Sequence, residues 1–88
     1  MKLINIGYGN LLVRERIVSV VSPDAAPIKR MIIDAKESGR AIDASCGKKT
    51  KSVIITDSDH VVLCALEMEK ILNRFNNIIN EKEDDEED

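Results

Sequence analysis

The run Val61-Val62-Leu63-Cys64-Ala65-Leu66 constrains the fold more than any other stretch, because it contains no polar residue. A strand that is apolar on both faces must be covered on both, so it belongs inside a sheet with a further layer on each side. In a chain of 88 residues those layers come from very few elements, and a domain this small buries a modest share of its surface. Tyr8 and Phe75 are the only aromatic residues. The core is therefore expected to be aliphatic and thin. Scaffolds of this size gain from a metal, a disulfide or a neighbouring subunit; a neighbouring subunit is the expectation here.

The elements around the run follow from local pattern. Lys2 to Ile6 reads as a strand, Gly7-Tyr8-Gly9-Asn10 as a turn because glycine and asparagine accept positive φ where other residues do not, and Leu11 to Val13 as a short second strand. Arg16 to Ser22 is rich in β-branched residues and forms the next strand, stopped by Ser22-Pro23-Asp24. After Pro27, the spacing of Ile28, Met31, Ile32 and Ala35 predicts a helix with one buried face, closed at Gly39. Ala41 to Cys46 is expected as a strand with Ile42, Ala44 and Cys46 on one face. Gly47-Lys48-Lys49-Thr50-Lys51 is expected as the hairpin connection to a partner strand, Ser52 to Thr56. Asp57-Ser58-Asp59 turns the chain into the apolar run. A closing helix over residues 67–80 carries a stripe of Met68, Ile71, Leu72, Phe75, Ile78 and Ile79. This stripe either packs on its own sheet or lends part of its length to another subunit. The order predicts an α+β fold, a small, largely antiparallel sheet with two helices, as a single domain over residues 1–80.

Charge divides the chain. Residues 1–80 carry twelve Lys/Arg against nine Asp/Glu, whereas residues 81–88 carry one Lys against seven Asp/Glu. The overall charge of −3 thus conceals a basic body of +3 and an acidic tail of −6. The tail, Glu81 to Asp88, has nothing apolar to bury and is expected to be disordered. Cys46 and Cys64 lie eighteen positions apart without a CxxC, which fits neither a disulfide scaffold nor a zinc ribbon. Met1 to Asn5 runs directly into a strand pattern, with no stretch suited to a signal peptide or membrane span. A cytoplasmic protein that does not engage membranes is expected.

Candidate catalytic and metal chemistry is thin. Gly7-Tyr8-Gly9 resembles the start of a dinucleotide fingerprint, but the position of its third glycine is Leu12. On one strand, His60 and Cys64 would stand about 13 Å apart, too far to share a zinc ion. Asp57 and Asp59 suit an ordinary turn as well as a cation site, and no base is placed beside Ser45 or Cys46. No catalytic residue, metal or cofactor is expected, and the chain is not read as an enzyme. The basic residues instead fall into three groups: Arg14 and Arg16, Lys29 and Arg30, and Lys48, Lys49 and Lys51. Three lysines within four residues suit contacts to a phosphate backbone. A charged loop that is merely solvated is the plainer alternative.

Four motifs in fixed order carry a resemblance. Asn5-Ile6-Gly7-Tyr8-Gly9-Asn10, Ser22 through Ile32, Asp43 through Lys51 and Asp57-Ser58-Asp59-His60-Val61 closely resemble the RemA family, bacterial regulators of extracellular-matrix genes. The match spans roughly residues 2–66. It implies a transcriptional regulator with a fold likened to LytTR-type DNA-binding domains, assembled as a homo-oligomeric closed ring that holds double-stranded DNA on its basic surface. In that family the positions matching Arg16, Lys48 and Lys49 contact DNA; Lys51 and Arg14 are weaker candidates. The pair is Lys-Lys here where the family usually carries Arg-Arg, and Ser45-Cys46 stands in place of Thr-Tyr. Charge is kept, but the bidentate guanidinium fork is not, so weaker and more salt-sensitive binding is expected. The runner-up is a structural or protein-interaction module that docks a partner on the C-terminal helix.

Overall fold

The computed structural model describes residues 2–76. The chain forms β1 (Leu3–Gly7), β2 (Asn10–Val13), a 3-10 turn (Arg14–Arg16), β3 (Ile17–Val21), α1 (Ala26–Glu37), β4 (Ala41–Asp43), β5 (Ser52–Thr56), β6 (Val61–Cys64) and α2 (Met68–Asn76). β1 and β2 make a separate antiparallel hairpin, and the other strands form one sheet in the order β3-β5-β6-β4. The β3-β5 and β5-β6 pairs are antiparallel, while β4 runs parallel to β6. The α+β expectation with two helices holds, on a mixed sheet beside an antiparallel hairpin.

β6 has the two-sided burial its sequence demands. Val61, Val62, Leu63 and Cys64 are all at most 4% exposed. Alternate residues serve alternate faces: Val62 and Cys64, with Ile54 of β5, pack against Ile4 and Ile6 of β1, against Leu66 in the segment that follows β6, and against Ile71 of α2. Val61, Leu63 and Val53 pack against Ala35, Ile28, Met31 and Ile32 of α1. The sheet is thus the middle of three layers, with α1 on one side and the β1-β2 hairpin with α2 on the other. Each fully buried Ile or Leu here contributes on the order of 1.5–3 kcal/mol, which is how an aliphatic core replaces the missing aromatics.

The hairpin turn forms because both central residues, Tyr8 and Gly9, take positive φ, at 55° and 81°. That is the twist-matched geometry of a two-residue connection. Asn10 fastens it by donating from Nδ2 to the Gly7 carbonyl at 2.9 Å. α1 has Pro27 in its first turn, where the missing N–H would have had no partner within the helix. It ends where Ser38 turns its hydroxyl back to the Asp34 carbonyl at 3.0 Å.

Three expectations need correction. The strand expected over Ala41 to Cys46 stops at Asp43, and Gly47 to Lys51 does not close a hairpin. β6 lies between β4 and β5, so residues 44–51 cross the end of β6 to reach the far side. The physical reason is local. Cys46 and Gly47 both adopt left-handed φ, 56° and 79°, a consecutive pair that breaks the regular extended backbone of a strand, and β6 supplies the hydrogen-bonding partners for the chain on either side of the loop. Consistent with this, Ile42 and Cys46 are exposed and only Ala44 is buried. The apolar run likewise ends as a strand at Cys64, because Leu66 turns in to pack with Ile71.

α2 is described as far as Asn76; Ile78, Ile79 and the acidic tail lie outside the described residues. Of its described stripe, Ile71 is buried and Phe75 packs on the core, whereas Met68 and Leu72 remain 37% and 56% exposed.

Candidate nucleic-acid interface

The topology places the basic residues at two opposite ends of the sheet. β5 joins them, and its four residue steps from Ser52 to Thr56 separate the ends by about 13 Å. Val21 at the end of β3 pairs with Val53, while Ile17 pairs with Thr56. Lys48, Lys49 and Lys51 therefore lie at the Ser52 end and Arg16 at the Thr56 end. β3 runs into α1 at the Ser52 end, so exposed Lys29 and Arg30, at the start of α1, lie toward the same end of the sheet as the lysine loop.

The lysine loop is held at both feet. Ala44 N–H donates to the Leu63 carbonyl and Lys51 N–H to the Cys64 carbonyl, each at 2.8 Å, so the loop straddles the last residues of β6. Asp43 organises its start: Oδ1 accepts from Ser45 N–H at 3.0 Å and from Ser45 Oγ at 2.6 Å. These two bonds, the hydroxyl first, hold the Asp43 carboxyl below its ordinary value, with Lys36 adding a favourable charge. A bond from Lys48 N–H to the Ser45 carbonyl at 3.0 Å closes the turn. Lys48 and Lys49 project from it exposed, with no ion pair or side-chain hydrogen bond among the described residues. Lys51 differs. Its Nζ lies 3.5 Å from Glu67 Oε2, which offsets part of its charge.

At the opposite end, Arg16 and Asp57 are joined twice. Asp57 N–H donates to the Arg16 carbonyl at 2.9 Å, and Arg16 Nε donates to Asp57 Oδ1 at 2.9 Å. Arg14, by contrast, is partly buried, with its guanidinium over the Phe75 ring, 4.8 Å from the centroid. It ties the 3-10 turn to α2. The sequence reading overlooked Arg40, which flanks the same end and donates from Nη1 to the Asp59 carbonyl and from Nε to Ser38 Oγ, both at 2.8 Å. Its place beside the β5-β6 turn is visible only once β4 is known to pair with β6.

The remaining candidates have structural partners. His60 Nδ1 shares a 2.7 Å hydrogen bond with Ser58 Oγ, and Ser58 Oγ meets Thr56 Oγ1 at 2.9 Å. Cys64 is buried and directs Sγ to the Ile6 carbonyl at 3.3 Å, while Cys46 is exposed and both thiols are free. Among the described residues no group of three or more His, Cys, Asp or Glu is placed to hold a metal ion, and no helix is long and apolar enough to cross a membrane.

Fold and site together define a small α+β protein with a three-layer core and exposed cations at both ends of its sheet. The family described as RemA-like, extracellular matrix regulatory protein A-like, matches residues 3–75, and the chain belongs to that family. A "Putative regulatory protein" of Geobacillus thermodenitrificans is 57% identical over 75 residues, covering 85% of this chain and 86% of the relative. One of the same description from Caldicellulosiruptor saccharolyticus is 52% identical over 88 residues, covering 100% of this chain and 84% of the relative. A third, from a Synechococcus strain, is 55% identical over 74 residues, covering 84% and 83%.

Proposed function

We propose that the protein is a cytoplasmic transcriptional regulator that binds double-stranded DNA through phosphate contacts as a ring-shaped homo-oligomer, and that it controls extracellular-matrix or related genes. No catalytic group, metal or cofactor takes part. The observation that carries this reading is the pair Lys48 and Lys49, exposed on a loop that is anchored at both feet and engaged by no acidic side chain among the described residues. A rigidly based, unneutralised cation pair releases counterions on meeting a phosphate backbone without first breaking an internal salt bridge. The family description and the regulatory names of the relatives support the same reading.

Assembly follows from both surface and charge. β3 and β4 are the outer strands of the sheet, and Val18 and Ile42 on them are 64% and 45% exposed. Open edges bearing apolar side chains are what neighbouring copies cover. One copy brings few phosphate contacts, whereas a closed ring sums those of several copies on one duplex. Docking by backbone and shape suits lysines, which act as point charges.

Replacing Lys48 and Lys49 together by Ala is expected to abolish a gel shift on duplex DNA while leaving the oligomer intact. Unchanged binding would sink the proposal. Exposed Met68 and Leu72 favour a second reading, in which α2 docks a protein partner. A salt titration separates the two, because DNA binding weakens with a log-log slope of about 0.9 per phosphate contacted.

A further inference from the structure

Resting on that DNA-binding reading, we infer that Asp57 is a positioning residue for Arg16: it grips the guanidinium at Nε so that both terminal amino groups face outward for a phosphate. The geometry is specific to this pair. Arg16 Nε lies 2.9 Å from Asp57 Oδ1 and also 2.9 Å from Oδ2, so a single donor engages both carboxylate oxygens. Nη1 and Nη2 have no hydrogen-bond partner among the described residues. These are the two groups that form a bidentate grip on phosphate oxygens.

The backbone makes the grip reproducible. Asp57 N–H donates to the Arg16 carbonyl at 2.9 Å, extending the β3-β5 ladder one step beyond the Ile17 and Thr56 pair. The bases of the two side chains are therefore fixed relative to each other, and the remaining freedom is the long arginine stem. Both side chains are open to water, 63% and 46% exposed, so the ion pair contributes little to holding the fold. Its effect lies in orientation. An unrestrained arginine loses rotamer freedom when it binds, and Asp57 removes part of that loss beforehand. This end differs from the lysine loop, where mobile point charges have no such guide.

The sign of one substitution tests the idea. Asp57→Ala raises the net charge of the protein by one, and on charge alone that tightens binding to DNA. Positioning predicts the reverse. On a labelled duplex of mixed sequence, Asp57→Ala is expected to bind about two- to fivefold more weakly than wild type. Asp57→Asn, which keeps the Oδ acceptor without the charge, should recover most of the loss. In an Arg16→Ala background, Asp57→Ala should no longer weaken binding. Tighter binding by Asp57→Ala in the wild-type background overturns the inference, since Asp57 would then be a clamp holding Arg16 away from DNA. An equal loss in both backgrounds also overturns it, because the effect would then not pass through Arg16. Thermal unfolding midpoints of the variants serve as the fold control. Failure of the DNA-binding reading itself looks different: Arg16→Ala and the Lys48, Lys49 double variant would then bind as wild type does.

Discussion

The guanidinium of Arg14 lies over the ring of Phe75, 4.8 Å from its centroid, and joins the 3-10 turn before β3 to α2. Arg14 N–H also donates to the Lys2 carbonyl at 2.8 Å, so the residue is fixed at both its backbone and its side chain. Arg14→Ala is expected to lower stability by about 0.5–1 kcal/mol, the usual worth of such a contact. In a double-mutant cycle with Phe75→Leu the two losses should be less than additive. Its effect on DNA affinity should be smaller than that of Lys48→Ala with Lys49→Ala. Chemical denaturation and gel shifts on the same variants measure both.

Neighbouring positions on α2 should respond very differently to truncation. Ile71 is 1% exposed and part of the core, whereas Leu72 is 56% exposed. Ile71→Ala is expected to cost about 2–5 kcal/mol through lost burial and a cavity. Leu72→Ala should stay within about 0.5 kcal/mol for the isolated fold. A large loss for Leu72→Ala that depends on protein concentration would show that a second copy covers it.

The acid limb of stability should carry the mark of Asp43. Its carboxyl is held below the ordinary value of 3.8 by the Ser45 hydroxyl and N–H. A lowered folded-state pKa contributes stability that is present above the unfolded value and is lost as pH falls through the folded one. As pH drops below 3.8, wild type should therefore lose stability faster than Asp43→Asn, which keeps the acceptor but does not titrate. Urea midpoints across this range test it; parallel curves for the two proteins would contradict the assignment.

Lys48 and Lys49 offer point charges rather than guanidinium forks. Placing an arginine at both positions should tighten binding severalfold, because bidentate charge-assisted contacts are stronger than single ones. Lys48→Arg with Lys49→Arg, measured by fluorescence anisotropy on one duplex, gives the answer directly. An unchanged affinity would mean that these side chains do not meet phosphate end-on.

Much of this was legible in the sequence, for identifiable reasons. The run from Val61 demanded two covering layers, and the period of Ile28, Met31, Ile32 and Ala35 marked α1 as one of them. The turn from Gly7 to Asn10 was readable from its glycines, whereas the positive φ of Tyr8 was not. The parallel β4 was not. Alternation in Ile42, Ala44 and Cys46 looks like a strand, but whether a three-residue strand pairs with its neighbour in sequence or with β6 is decided by long-range competition for partners. The same misreading hid the layout of the site. A hairpin between residues 41 and 56 says nothing of what lies across the sheet, whereas the true strand order sends Arg16 and the lysine loop to opposite ends and puts the start of α1, with Lys29 and Arg30, toward the lysine end. Asp57 looked like one acid of an ordinary turn, and only the register of β3 on β5 places it against Arg16.

Native mass spectrometry with and without a DNA duplex tests the central claim most directly, because it reports assembly and binding in one spectrum. The account predicts a single closed oligomer in the absence of DNA and the same oligomer carrying duplex in its presence, with the bound form lost when Lys48 and Lys49 are both Ala. A monomer that ignores the duplex, or an oligomer whose DNA binding survives loss of both lysines, would contradict it.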